Sequence, residues 1–204
     1  MRVTGGTLRG RRLLAPPPGV RPSADRVRES LFTRLGDLRG VAALDLYAGT
    51  GALGIESLSR GVASVVFVER APRSLAILRR NLAALALTEH ARVLREDVSR
   101  GVRRLGREGL RFGLVLVDPP YDSGEDERAL CALVESDVLA PQGTVVVERS
   151  RRHPLPAIAG LERIDERRYG DTVIDRFSAP LPDSEGGLGA RAAPPEAPGG
   201  TNAE

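Results

Sequence analysis

LDLYAGTGALGIE, residues 44–56, joins an apolar strand-like run to a helix-like one through Gly49, Gly51 and Gly54, a G-x-G-x-x-G pattern. Between a strand and a helix, such glycines permit a tight turn and a close backbone approach to a ligand, with the next helix's N-terminus alongside. A plain strand-to-helix turn would use the same residues, so the flanking chain has to separate the two readings. Outward from this segment, strand-like runs at 41–46, 64–69, 92–97, 113–118 and 143–148 alternate with helical patterns at 52–61, 72–87 and 126–139. Continuous β-branched runs without polar alternation are the mark of strands covered on both faces. Helices between them make right-handed crossovers, so a doubly wound α/β sheet is expected.

After Arg152 the rhythm changes. Residues 161–170 and 172–179 are two strand-like runs around a Gly-Asp turn, with no helix between, and read as a terminal antiparallel hairpin. At the other end, residues 2–14 read as a small basic hairpin, broken by PPPG at 16–19, after which Ser23 caps a helix through SADRVRESLFTRL. That helix is expected to turn Val27, Leu31 and Leu35 inward and to leave Arg26, Arg28 and Arg34 largely on other faces. The division that follows is a basic extension over 1–40, a main domain over 41–180, and a Gly-, Ala-, Pro- and acid-rich tail over 181–204 with too little to bury, hence disordered.

At 204 residues the chain fits one domain of ordinary size. It has no run of about 18 apolar residues and its start lacks an apolar signal core, so a soluble cytoplasmic protein is expected, with no membrane partner. The single cysteine, Cys131, excludes an intrachain disulfide and a Cys-rich metal site, and is expected to be a small buried hydrophobe. His90 and His153 have no partner at metal-ligand spacing and read as surface residues, so no metal is called for. The net charge of +3 is unevenly spread: residues 1–40 hold nine arginines against three acids, while residues 41–182 balance twenty against twenty. All 30 basic residues are arginine, which forks onto phosphate and stacks on bases. A basic front on a neutral body points to a polyanion met on one side, the alternative being an ordinary solvated basic edge.

Acidic residues sharpen the glycine loop. Glu69 ends the second strand-like run about 20 residues on, where an acid can accept both ribose hydroxyls, and Asp97 ends the third. A dinucleotide dehydrogenase would share both. Asp45, four residues before Gly49, argues against it, because a nearby pyrophosphate would repel a carboxylate that a sulfonium and an ammonium would welcome. S-adenosylmethionine therefore fits better than NAD, while a loop-organising or helix-capping role stays open for Asp45.

The fourth strand-like run ends in VLVDPPY, residues 115–121. Asp118 would open on the same crevice as the glycine loop. The exocyclic amine of a base is a poor nucleophile because its lone pair is delocalised into the ring. The Asp118 carboxylate and the Pro119 carbonyl, both accepting from the amine, would localise that pair, with Pro120 fixing the turn through its locked φ. Asp118 can also take the proton shed on methylation. Tyr121, one of three tyrosines and four phenylalanines in the chain, offers a face for a base turned out of its stack.

At these residues the sequence resembles the class I S-adenosylmethionine-dependent amino-methyltransferases, through D-L-Y-A-G-T-G and D-P-P-Y. More narrowly, GGTLRGRRL, RPSADRVRESLF, ALGIESLSRG and RRYGDT resemble the RsmD family of bacterial 16S rRNA guanine-N2 methyltransferases, over roughly residues 1–180. The resemblance implies a Rossmann-like, seven-stranded, mostly parallel sheet with the last strand antiparallel. It implies that Asp45 and the loop of Tyr47, Ala48, Gly49, Thr50 and Gly51 hold the methionine part, Glu69 the ribose and Asp97 the adenine edge, with Arg70 also among the cofactor-binding residues. It also implies that Asp118, Pro119, Pro120 and Tyr121 take the guanine. The helix of RPSADRVRESLF should cover the crevice, and Arg9, Arg11, Arg12 and Arg21 should grip RNA phosphates. The expected partner is 16S rRNA in the small subunit or a late assembly intermediate, met by a monomer. D-P-P-Y alone leaves an adenine N6 or cytosine N4 amine open, in RNA or DNA. A non-catalytic RNA-binding assembly factor is a rival of another class, and an NAD-dependent oxidoreductase would leave Tyr121 without a use.

Overall fold

The computed structural model describes residues 1–14, 25–120 and 124–179. Arg21, Ser23, Tyr121, the PPPG segment and the tail lie outside the described residues. Seven strands form one sheet: β1 (Ala42–Leu46), β2 (Ser64–Val68), β3 (Ala91–Leu94), β4 (Phe112–Val117), β5 (Leu139–Ser150), β6 (Glu162–Tyr169) and β7 (Thr172–Ser178), in the order β3-β2-β1-β4-β5-β7-β6. The first five are parallel, and β7 inserts antiparallel between β5 and β6. The expected doubly wound sheet and terminal hairpin are both present. Strand order reverses between β1 and β4, which puts the ligand crevice of an open α/β sheet at their carboxyl ends.

Among the described residues, five α-helices cover the two faces: α1 (Asp25–Leu35), α2 (Ala52–Ser59), α3 (Pro72–Ala84), α4 (Val98–Arg107) and α5 (Glu125–Glu135). Side chains alternate along each strand, sending Ala43, Phe67, Leu116 and Val146 to a core shared with Leu31, Phe32, Ile55 and Leu78. Leu44, Leu46, Val115 and Val147 go to the opposite core with Val102, Leu105, Leu130 and Leu133. Each such buried Leu or Phe contributes roughly 1.5–3 kcal/mol. Helix α4 is not among the helical segments picked out from the sequence. Its buried face, Val98, Gly101, Val102 and Leu105, has helical spacing, but arginines crowd the rest of it.

The basic front is part of the first core rather than an appendage, since Val3, Leu13 and Leu38 are buried with it. The expected hairpin is a closed loop with one antiparallel bridge, Arg2 to Arg12, where the Val3 N–H donates to the Arg11 carbonyl at 3.0 Å. Helix α1 does bury Leu31, but Val27 and Leu35 are only half-buried, and Arg28, expected on an outer face, is 1% exposed. Arg28 lies one turn before Leu31 and Phe32 on the same stripe. Its burial is sustained by Glu56 at 3.4 Å, by Asp25 at 3.0 Å and by the Arg2 carbonyl. Cys131 is another correction: it is exposed, because α5 turns Ala129, Leu130, Ala132 and Leu133 inward. His90 and His153 are on the surface as read. Among the described residues no helix is long and apolar enough to cross a membrane.

Candidate active site

The glycine loop sits at the reversal point. Tyr47 leaves β1 with φ 57, an uncommon conformation for a bulky residue, and its hydroxyl donates to the Glu125 carbonyl at 3.1 Å, at the start of α5. Burial, then the charges of Glu125 and Asp97, push its phenol up. Gly49 (φ 54) and Gly51 (φ 86) carry the turn, and the Gly51 N–H donates to the Ala48 carbonyl at 2.7 Å. At Gly51 a Cβ would stand 2.3 Å from Leu78, and at Gly54 it would stand 2.3 Å from the Phe67 ring and 2.8 Å from Asp45 Oδ2. These positions require glycine if α2 is to reach the sheet.

Both acids on this side tie the loop down. Asp45 is 1% exposed and its Oδ2 accepts from the Gly54 N–H at 2.9 Å. Burial pushes its carboxyl up to about 7, opposed by the Gly54 N–H and reinforced by Glu69. Glu69 accepts from the Gly49 N–H at 2.8 Å and the Ala71 N–H at 2.6 Å. The loop-organising role left open for Asp45 is thus real, and a buried acid with a high proton affinity also rewards a cation placed beside it. Carboxylates at Asp45 and Glu69 suit a ligand rich in N–H and O–H donors better than a pyrophosphate.

Asp97 departs from expectation. Strand β3 closes at Leu94, so Asp97 does not end it. Asp97 caps α4 instead, its Oδ1 accepting from the Ser99 N–H at 3.1 Å. Arg70, exposed at the mouth, lies 4.0 Å from Asp97 and 3.5 Å from Glu125, which keeps Asp97 at the rim of the crevice.

Across the crevice, Asp118 follows β4 directly, its N–H 3.5 Å from the Leu46 carbonyl of β1. Desolvation, then the carboxylates of Glu148 and Asp45, push its carboxyl well above the usual range. Pro119 is buried and Pro120 exposed. A cavity of ≈ 250 Å³ opens beside both, bounded by Gly124, Arg149, His153 and Pro154.

Sequence reasoning missed three residues here. Glu148 of β5 is 7% exposed, yet acts on Asp118. Asn81 of α3 is 2% exposed and donates to the Thr50 carbonyl at 3.0 Å while accepting from the Leu14 N–H at 2.9 Å, so it joins the glycine loop to the basic extension. Glu56 of α2 holds Arg28, Arg60 and Thr4 together. A polar residue inside an apolar helical pattern was the available signal for Glu56 and Asn81. Helix α1 spans this region, with Ser30 Oγ 2.8 Å from Tyr169 Oη and Arg34 paired with Asp165.

The structure does not bring Arg9, Arg11 and Arg12 to the crevice, and Arg21 lies outside the described residues. Arg9, Arg11 and Arg12 are exposed on the loop that docks at the far ends of α2 and α3. There the Thr7 N–H donates to the Ser59 carbonyl at 2.8 Å and the Arg11 guanidinium to the Ala84 carbonyl at 3.3 Å. The eight residues of α2 set them roughly 12 Å from the glycine loop.

Comparison with known proteins follows this geometry. The family model described as Conserved hypothetical protein 95 matches residues 1–178. The chain is 37% identical over 179 residues to Ribosomal RNA small subunit methyltransferase D of Escherichia coli (strain K12), covering 87% of this chain and 88% of that protein. It is 37% identical over 177 residues to a candidate rRNA methyltransferase, YlbH, of Bacillus subtilis, covering 85% and 96% respectively. The solved structure of a candidate methyltransferase, yhhF, from Escherichia coli superimposes with a TM-score of 0.80 at 32% identity, over 89% of this chain and 99% of that one.

Proposed function

The chain belongs to the family described as Conserved hypothetical protein 95, the RsmD family, and on that premise we propose that it methylates the exocyclic N2 amine of a guanine in 16S rRNA. The donor is S-adenosylmethionine and the product S-adenosylhomocysteine. The observation that carries the reading is the placement of Asp118, with the Asp-Pro-Pro turn, directly across the β1–β4 crevice from Asp45 and the glycine loop.

The cofactor supplies an electrophilic methyl on a sulfonium sulfur. Asp45 takes the ammonium of its methionine part beside the backbone of Tyr47, Ala48, Gly49, Thr50 and Gly51. Glu69 accepts from the ribose hydroxyls, and Asp97 and Arg70 line the rim at the adenine. On the other side, Asp118 and the Pro119 carbonyl accept from the amine and aim its lone pair, Pro120 holds the turn, and Tyr121 carries the face of the base. With the methyl passing from the cofactor's sulfur to the amine nitrogen, Asp118 would accept the proton that the amine sheds. A carboxylate with a raised proton affinity is a better base for that step, and a cation in the loaded crevice keeps it ionised beforehand.

RNA is held by Arg9, Arg11, Arg12 and Arg21 through phosphates. The substrate is the small subunit or a late assembly intermediate, met in the cytoplasm by a monomer whose extension, 1–40, serves as the RNA-facing arm. Incubation with tritiated S-adenosylmethionine and undermethylated small subunits, followed by digestion of the RNA, should give label in N2-methylguanosine. Label in another nucleoside overturns the guanine assignment, and no label in RNA overturns the reaction.

A further inference from the structure

Glu148 is buried near the end of β5, 7% exposed, and the chemistry above assigns it nothing. Parallel register pairs Leu116 with Val146 and Val117 with Val147, so Asp118 and Glu148 stand one residue further along adjacent strands. Leu116 and Val146 share the core beneath α1, α2 and α3, and side chains two residues on return to the same face. Asp118 and Glu148 therefore face the crevice side by side. Their proximity also shows in the proton affinity of Asp118, to which Glu148 is the foremost electrostatic contributor after burial.

Asp118, half-buried, and Glu148, buried, offer two adjoining acceptors to a ligand that brings adjoining donors. The amines that D-P-P-Y enzymes methylate differ at the neighbouring ring atom. Adenine N6 adjoins N1 and cytosine N4 adjoins N3, both acceptors that would face the second carboxylate with repulsion. Guanine N2 adjoins N1–H, a donor. We propose that Glu148 is a specificity-determining residue that accepts from the N1–H of the target guanine while Asp118 accepts from its N2 amine. Glu148 thereby selects guanine, and Asp118 performs the chemistry. This rests on the guanine-N2 reading.

The test uses small subunits reconstituted with either guanine or 2-aminopurine at the methylated position, since 2-aminopurine keeps the 2-amine but has an acceptor at N1. The native protein should methylate guanine at least tenfold faster in kcat/KM, as expected for losing a well-placed hydrogen bond to a base edge. Glu148→Gln, whose amide can donate to N1 of 2-aminopurine, should lose roughly tenfold or more on guanine and narrow or reverse that preference, with S-adenosylmethionine affinity unchanged by calorimetry. Glu148→Asp keeps an acceptor and should keep the preference. Equal rates of the native protein on both bases, or an unchanged preference in Glu148→Gln, would overturn the proposal while leaving guanine methylation intact. Failure of the native protein to label guanine at all would instead sink the reading on which it rests. If Glu148→Gln does not fold, the native protein and Glu148→Asp still decide the matter.

Discussion

The two halves of the crevice use the same residue type in opposite ways. On the β1–β2 side, Asp45 and Glu69 accept from the backbone N–H groups of Gly54, Gly49 and Ala71, so each acid is a strut that fixes the loop. On the β4–β5 side, desolvation first, and then the carboxylates of Glu148 and Asp45, raise the affinity of Asp118 for a proton. Carboxylates satisfied by fixed donors build a rigid cradle. A carboxylate desolvated near others makes a base. The fold supplies both by placing neighbouring parallel strands at one edge, with the reversal of strand order between them.

The sharpest way to break this comparison is Asp118→Ala. Methyl transfer should fall by roughly 10²–10⁴-fold in single turnover, the usual range for a removed acid–base group, with cofactor affinity nearly unchanged and RNA affinity close to normal. A parallel loss of cofactor affinity would show that the halves are not separable. Asp45→Asn tests the cradle. Because the Asp45 carboxyl is raised from 3.8 to about 7, the ligand-free folded state holds an extra proton between those values. Stability from this group is therefore full below the unfolded pKa and is lost as pH rises through about 7. Cofactor binding runs the other way: it favours the ionised form, so affinity in the native protein should drop by up to about tenfold per pH unit below about 7. In Asp45→Asn that pH dependence should flatten and the ligand-free protein should gain stability at pH 8; calorimetric titration and thermal melts read the two. A native affinity that does not vary between pH 6 and 8 would contradict the role given to Asp45.

A smaller effect is expected from Asn81→Ala, which leaves the Thr50 carbonyl and the Leu14 N–H without their shared partner. About 1–3 kcal/mol should be lost, seen as faster hydrogen exchange confined to the glycine loop and residues 1–14. Exchange that spreads evenly over the sheet would count against a local link. Smallest per residue is the effect of Arg9, Arg11 and Arg12. Replacing each with Ala should weaken RNA binding evenly across sequences and lower the salt slope by about one, while methylation of bound RNA keeps its rate. An unchanged slope would remove these arginines from the RNA contact.

Much of this was legible before the structure. The loop over 44–56, the parallel runs and the terminal hairpin are local patterns, because burial on both faces of a strand and a glycine turn each write themselves into adjacent residues. Asp45 and Asp118 were legible because they adjoin those patterns. Arg28 was not: its burial depends on Glu56, which α1 meets only after folding, so its charge read as solvent-facing. Glu148 was noted as the end of a strand, but its meeting with Asp118 needs the strand order as well as the strands. Asp97 was assigned to a strand because RVLRED gives no signal of where β3 stops and the cap of α4 begins.

The insertion of β7 between β5 and β6 bears on how the protein is made. Among the described residues β6 pairs with β7 alone, so when β6 leaves the ribosome it has no place in the sheet. Strand β5 likewise keeps one edge open until residues 172–178 arrive. The nascent chain can assemble the glycine loop and its helices from what has already emerged, but the edge beside Glu148 closes only once β7 has emerged. Until then it is an unpaired edge open to wrong partners. The cofactor half of the enzyme can thus fold first, and the half that chooses and activates the base is completed in one late step.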